Sequence, residues 1–233
     1  MARVVRSALS ARYEEVRARM AAACARAGRP AEAVRLVAVS KRVPPDVVRA
    51  AVAAGVARLG ESYVQEARAK RAVLADLTAV EWHFIGRVQR NKAAAMTDFA
   101  LVHSVADARV AAAIGRAATA AGVTVPVLIQ VSLSGEPTKE GTTAAALPAT
   151  LAAVRAVAGV RAVGLMTVPP PLAAEEVRPL FGALRALRDR QEDADALPEL
   201  SMGMSGDYEV AIEEGATLIR VGTAIFGPRT EVT

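Results

Sequence analysis

One cysteine, Cys24, is all that 233 residues contain, so the chain cannot close an internal disulfide. That fits a reducing compartment, and the expected location is cytoplasmic. No apolar run approaches the roughly 18 residues that mark a membrane span. The N-terminal stretch MARVVRSALSARYEEVRARM is broken by charge every few residues and lacks the apolar middle of a secretory signal. Aromatic residues make up only 3% of the chain, and no basic cluster is interleaved with them. The net charge of +5 therefore does not read as a base-stacking surface. Scattered arginines on helical faces, often beside Glu or Asp, account for it. Neither nucleic acid nor membrane is expected as a partner. His83 and His103 each sit inside a strand-like run, with no Cys/His spacing of a zinc site, and are read as satisfied strand histidines. There is no Gly-x-Ser-x-Gly elbow and no Walker loop, and no carboxylate pair for glycoside chemistry stands out.

Lysine is scarce as well. Of 29 Lys and Arg residues, only Lys41, Lys70, Lys92 and Lys139 are lysine. Where a positive charge suffices, this chain uses arginine. A retained lysine hints at a task closed to guanidinium, such as forming an imine.

What is present is an alternation. After an amphipathic segment near 5–27, short apolar runs alternate with longer Ala/Arg/Glu-rich helical segments. The runs are 36–40, 57–62, 81–86, 100–105, 125–132, 161–168, 199–205 and 217–227, and a helix is expected after each of the first seven. Continuous apolar strands between helices imply a parallel sheet covered on both faces. Eight such runs predict an α/β fold, a (β/α)8 TIM barrel with an extra N-terminal helix; an open doubly wound sheet is the alternative. Polar residues at the strand ends would then meet at one mouth. With no repeat, linker or composition break, the expected organisation is one domain over 1–233, with the N-terminal helix in 1–30 and the barrel in 36–229.

Lys41 follows the first run, LVAVS, and a barrel would deliver it to the mouth. A partly desolvated amine there can condense with an aldehyde; the plain alternative is a solvated lysine at a strand end. Near the C-terminus, Ser205-Gly206-Asp207 is read as the opening of a helix, where backbone N–H groups favour an anion. Arg220, Gly222 and Thr223 follow at the end of the last run. The loops after the seventh and eighth strands are where barrels often hold phosphate. Trp82, Met166, Met202 and Met204 are read as packing or apolar wall.

These motifs resemble the pyridoxal-phosphate homeostasis proteins, single-domain barrels of the fold-type III class. The residues that carry the resemblance are AVSK (38–41), GESYVQE (60–66), WHFIGRVQRNK (82–92), HSV (103–105), GLMTV (164–168), SMGMSGDYEVAIEEG (201–215) and RVGTAIFG (220–227). The resemblance implies the cofactor pyridoxal 5′-phosphate, held as a Schiff base on Lys41. It implies Ser205, Gly222 and Thr223 at the phosphate and Arg220 facing the pyridine nitrogen, which leaves that nitrogen unprotonated and the ring a weaker electron sink. His83 and Met166 would line the mouth. Ser62 stands where the family usually has Asn, and its shorter side chain forgoes a hydrogen bond near the cofactor. Lys139 is a candidate second acceptor, and Asn91 and Lys92 match a family pair without a cofactor role.

The implied function is to hold, buffer or deliver the cofactor, with cofactor-requiring apo-enzymes as recipients and a monomer or weak dimer as the assembly. The larger racemases of this class take an opposing tyrosine from a second domain. None of Tyr13, Tyr63 and Tyr208 lies in such a domain, so efficient turnover is not expected. An amino-acid racemase and a barrel for another phosphorylated metabolite remain the alternatives.

Overall fold

Short Val- and Leu-rich runs become strands because they are too short for helices and bury both faces. In the computed structural model, which describes residues 2–133 and 140–228, there are nine. They are β1 (Arg35–Val39), β2 (Arg58–Glu61), β3 (Glu81–Phe84), β4 (Leu101–Val105), β5 (Val125–Ser132), β6 (Thr142–Thr143), β7 (Val160–Met166), β8 (Glu199–Ser201) and β9 (Leu218–Val221). Every described pairing is parallel. The sheet runs β4-β3-β2-β1-β9-β8-β7-β5, and β4 pairs with β5 to close the ring. The eight-stranded barrel is therefore the fold. β6 is a two-residue addition beside β5, outside the ring, that the sequence does not announce.

Helices cover the barrel: α1 (Ala2–Arg26), α2 (Pro45–Ala53), α3 (Val64–Val73), α4 (Ala108–Ala120), α5 (Leu147–Arg155), α6 (Ala174–Asp189), α7 (Tyr208–Glu213) and α8 (Thr223–Phe226). Local chemistry sets their ends. Pro45 opens α2 at a position whose N–H would be unused. Asp107 caps α4 by accepting from Val110 N at 2.9 Å, and Gly122 turns the chain out of it at φ 68°. After β3 the expected helix is a 3-10 segment, Arg90–Asp98. Its buried Ala93 and Met96 lie three apart, one full turn of that tighter helix.

Two apolar layers result. The outer one lies between strands and helices and includes Leu59, Phe84, Ile114, Leu165 and Phe181. The inner one fills the lumen with Val37, Leu101, Leu128, Val163, Met166 and Leu218. On α1, Leu9, Tyr13, Val16, Met20 and Ala23 are buried at alternating spacings of four and three, one stripe of a helix. That stripe seats α1 against α2, α7 and α8 in the outer layer. Arg12 Nε on α1 donates to Ile225 O at 2.8 Å, and Arg29, just after α1, donates to Ile212 O and Ala216 O, so α1 and the turn that follows it brace α7 and α8. Many remaining arginines form surface pairs, among them Arg26–Glu213, Arg58–Glu81 and Arg178–Glu213. Such pairs explain the basic composition and add little stability each. Among the described residues no helix is long and apolar enough to cross a membrane.

Candidate functional site

At the C-terminal ends of the strands lies a cavity of about 360 Å3. Lys41, Arg220, Ser205, Gly206, Gly222 and Thr223 all line it, and Val39, Ile85 and Val168 supply apolar wall. A larger open groove, about 600 Å3, is lined by Arg87, Arg90, Arg109 and Asp107, but among the described residues no lysine lines it.

Strand alternation brings Lys41 to the cavity. Val37 belongs to the luminal cluster and Val39 lines the cavity, so the residue two further on faces the same side. Ser40, between them, is buried on the other side and donates to Glu61 Oε1 at 2.7 Å. Lys70 on α3 donates to Ser40 O, to Glu61 Oε1 at 2.8 Å and to Glu66 Oε1 at 2.7 Å. A compact ammonium offers three donors, and all three find an acceptor here, which suits lysine better than a planar guanidinium. Glu66 also accepts from Arg42 N, whose φ of 62° is the one positive value at a described non-glycine residue. The cluster thus staples β1, β2 and α3 together directly behind Lys41 and holds a strained turn in place. Glu61 is fully buried, and burial pushes its carboxyl up against the opposing bonds from Lys70 and Ser40. Its Oε2 has no described hydrogen-bond partner.

Arg220 comes from β9. It is 4% exposed, yet its Nη1 donates to Ser201 Oγ at 2.6 Å and its Nη2 to Thr167 O at 2.9 Å. Burial lowers its pKa to about 10, with Asp207 opposing, so it remains a cation at neutral pH.

The third wall corrects one expectation. Ser205 does not open α7, which starts at Tyr208; Asp207 instead closes the preceding turn by accepting from Met204 N. Ser205 Oγ accepts from Gly222 N at 3.1 Å and from Ala224 N at 3.4 Å. These amides, at the turn from β9 into α8, are therefore aimed at an oxygen acceptor. A side-chain carbon at Gly206 would meet nothing within 4 Å, so the backbone there stays open to approach.

The other sequence candidates lie elsewhere. His83 and Met166 are each 2% exposed and sit two residues before Ile85 and Val168, one layer beneath the cavity. His83 Nδ1 lies 2.9 Å from His103 Nε2, and His103 Nδ1 lies 2.8 Å from Ser201 Oγ. Ser62 follows β2, where its backbone packs against Gly86: a side-chain carbon at Gly86 would come within 2.3 Å of Ser62 O. Lys139 and residue 229 lie outside the described residues. Sequence reasoning missed Lys70, Ser201 and the backbone of Thr167. Only the scarcity of lysine and the Glu66–Lys70 spacing of four marked the first of them.

Residues 11–230 match the family described as alanine racemase, N-terminal domain. The chain is 44% identical over 222 residues to the pyridoxal phosphate homeostasis protein of Aquifex aeolicus, covering 94% of this chain and 97% of that protein. It is 42% identical over 225 residues to the protein of the same name from Pseudomonas aeruginosa, covering 96% of each. Among solved structures, PipY of Synechococcus elongatus with PLP bound superposes with a TM-score of 0.82 at 38% identity, over 94% of this chain and 100% of that one.

Proposed function

Because this chain belongs to the pyridoxal phosphate homeostasis proteins, within the alanine racemase N-terminal domain family, we propose that it binds pyridoxal 5′-phosphate in the cavity at the strand ends and serves to hold, buffer or deliver it. The observation that carries this is the meeting of Lys41, Arg220, Ser205, Gly222 and Thr223 on one wall system. The residues present fit the group. Two amides already aimed at an oxygen acceptor, a serine, a threonine and an open glycine suit a phosphate. A buried guanidinium with donors to spare suits a ring acceptor, and a lysine suits an aldehyde. At about 360 Å3 the cavity is at the small end of ligand sites, which span roughly 300–1,000 Å3.

When bound, the cofactor supplies an aldehyde and an electron-accepting ring. Lys41 is the residue that would take the aldehyde in covalent linkage, with loss of water, and the Lys70–Glu61–Glu66 staple fixes the backbone from which it would reach. Arg220, a cation at neutral pH, would offer a donor to the ring nitrogen. A donor there would keep that nitrogen an acceptor, which restrains the ring's electron withdrawal. Ser205, Gly222 and Thr223 bind the phosphate, and Val39, Ile85 and Val168 keep water from part of the wall.

The same reading places the protein in the cytoplasm as one barrel domain, a monomer or weak dimer, with cofactor-requiring apo-enzymes as recipients. Titration with pyridoxal phosphate, followed by visible absorbance, tests it. Purified protein should develop a visible band at one equivalent, and Lys41→Ala should not. No band in the parent, or the same band in the variant, overturns the assignment.

A further inference from the structure

The lumen beneath the cavity is not filled by apolar side chains alone. His83, His103, Ser201 and Arg220 come from β3, β4, β8 and β9, and each is at most 4% exposed. They are joined end to end. Arg220 Nη1 donates to Ser201 Oγ at 2.6 Å; Ser201 Oγ lies 2.8 Å from His103 Nδ1; His103 Nε2 lies 2.9 Å from His83 Nδ1. Beyond His83, Nε2 stands 3.5 Å from Glu81 Oε2, at the strand start opposite the cavity.

Counting donors fixes the direction of this chain. An arginine only donates, so Ser201 Oγ is already an acceptor. Suppose the imidazole hydrogens pointed toward Ser201. Its oxygen would then accept twice while its own hydrogen had no described partner, and the bare His83 Nε2 lone pair would face the Glu81 carboxylate. In the opposite order Ser201 donates to His103 Nδ1, His103 Nε2–H donates to His83 Nδ1, and His83 Nε2–H points to Glu81. Each inner link then joins one donor to one acceptor, as buried groups require. At the far end it is the His83 Nε2–H, with no described hydrogen bond of its own, that faces the Glu81 carboxylate, rather than a lone pair. The surroundings keep both rings neutral. Burial lowers His83 to about 4, with Glu81 opposing and Arg58 and Arg35 adding to the effect. Burial lowers His103 well below the ordinary range, with His83, Arg220 and Arg35 adding to it. Arg35 is itself paired with Glu199 and Arg58 with Glu81.

We infer that His83, His103 and Ser201 form a donor-ordered relay through the barrel, both histidines carrying their hydrogen on Nε2, and that Ser201 and His103 are positioning residues for Arg220. Ser201 and Thr167 O engage one N–H on each terminal nitrogen, which fixes the guanidinium plane. Arg220 lines the cavity, and these two bonds use only two of the five N–H groups of an arginine. That this orientation serves the ring nitrogen of pyridoxal phosphate rests on the function proposed above; the direction of the relay does not.

The chain holds only two histidines, so nitrogen-15 imidazole spectra of the full-length, cofactor-free protein are simple to read. Both rings should be neutral, protonated on Nε2 and not averaging, from pH 7 down to about pH 5. A hydrogen on Nδ1 of either ring, averaging between tautomers, or an imidazolium at pH 7 overturns the relay. Ser201→Ala should let the His103 tautomers average and weaken pyridoxal phosphate binding about tenfold or more. Ser201→Thr, which keeps the hydroxyl, should restore the fixed tautomer. Unchanged affinity in Ser201→Ala overturns the positioning role. If Ser201→Ala does not fold, the parent spectra and Ser201→Thr still decide. Failure of the parent to bind pyridoxal phosphate, with the tautomers as stated, would overturn the cavity reading and leave the relay standing.

Discussion

Replacing Lys70 by methionine tests the staple behind Lys41. Methionine fills much of the same space but donates nothing, so Ser40 O, Glu61 and Glu66 lose their shared donor. Glu61, fully buried, then has two options. It can stay charged and unpaired, which costs about 3–5 kcal/mol for a broken buried pair. Or it can take up a proton. At pH 7 that costs about 1.4 kcal/mol for each pH unit above an ordinary value near 4.5, about 3.4 kcal/mol in all. Proton uptake therefore limits the loss to about 3 kcal/mol at pH 7. At pH 5 the same proton costs only about 0.7 kcal/mol. The sign follows from linkage. In the variant the folded carboxyl lies well above its unfolded value, so the folded state binds the proton more tightly and stability is lost as pH rises. Urea unfolding followed by circular dichroism at both pH values reads the difference. The loss should shrink by about 2–3 kcal/mol between pH 7 and pH 5. Adding Glu61→Leu removes the buried charge and should recover most of the loss at pH 7. A loss under about 1 kcal/mol at pH 7, or an equal loss at both values, refutes the reasoning.

The histidine pair predicts an acid limb in the stability of the parent. Both rings have folded pKa values below 6.5, His83 at about 4, so they bind protons more weakly folded than unfolded. Their contribution is complete above about pH 6.5 and is lost as pH falls toward 4; the raised Glu61 carboxyl opposes this with a single proton. The urea midpoint should drop across that window, and a flat midpoint would contradict the burial of neutral histidines. Gly203 holds a φ of 90°, and a side-chain carbon there would come within 2.6 Å of Ala211 Cβ. Gly203→Ala should cost about 2–4 kcal/mol in the same assay, and an unaffected variant would mean the turn after β8 is not as described.

The barrel was legible because a parallel strand buried on both faces leaves a continuous apolar run, and eight of them recur between helical segments. Lys41, Ser205, Arg220, Gly222 and Thr223 were legible as candidates because each ends or follows such a run. What stayed hidden depends on contacts between segments. Glu61 stands at a strand end like the others, yet it faces outward and pairs with Lys70 on the following helix. Ser205 precedes a helical segment, but its hydroxyl accepts amides from a turn 17 residues later in the chain. His83 and His103 read as unconnected because 20 residues separate two rings that touch in the lumen. Periodicity tells which side of an element is buried; it does not name the partner across the gap.

The account depends on residue 41 being the point of attachment. Protein incubated with pyridoxal phosphate, reduced with borohydride, digested and analysed by mass spectrometry should carry one pyridoxyl group on the peptide containing Lys41. A group found instead on the peptide of Lys70, Lys92 or Lys139, or no adduct at all, would contradict it.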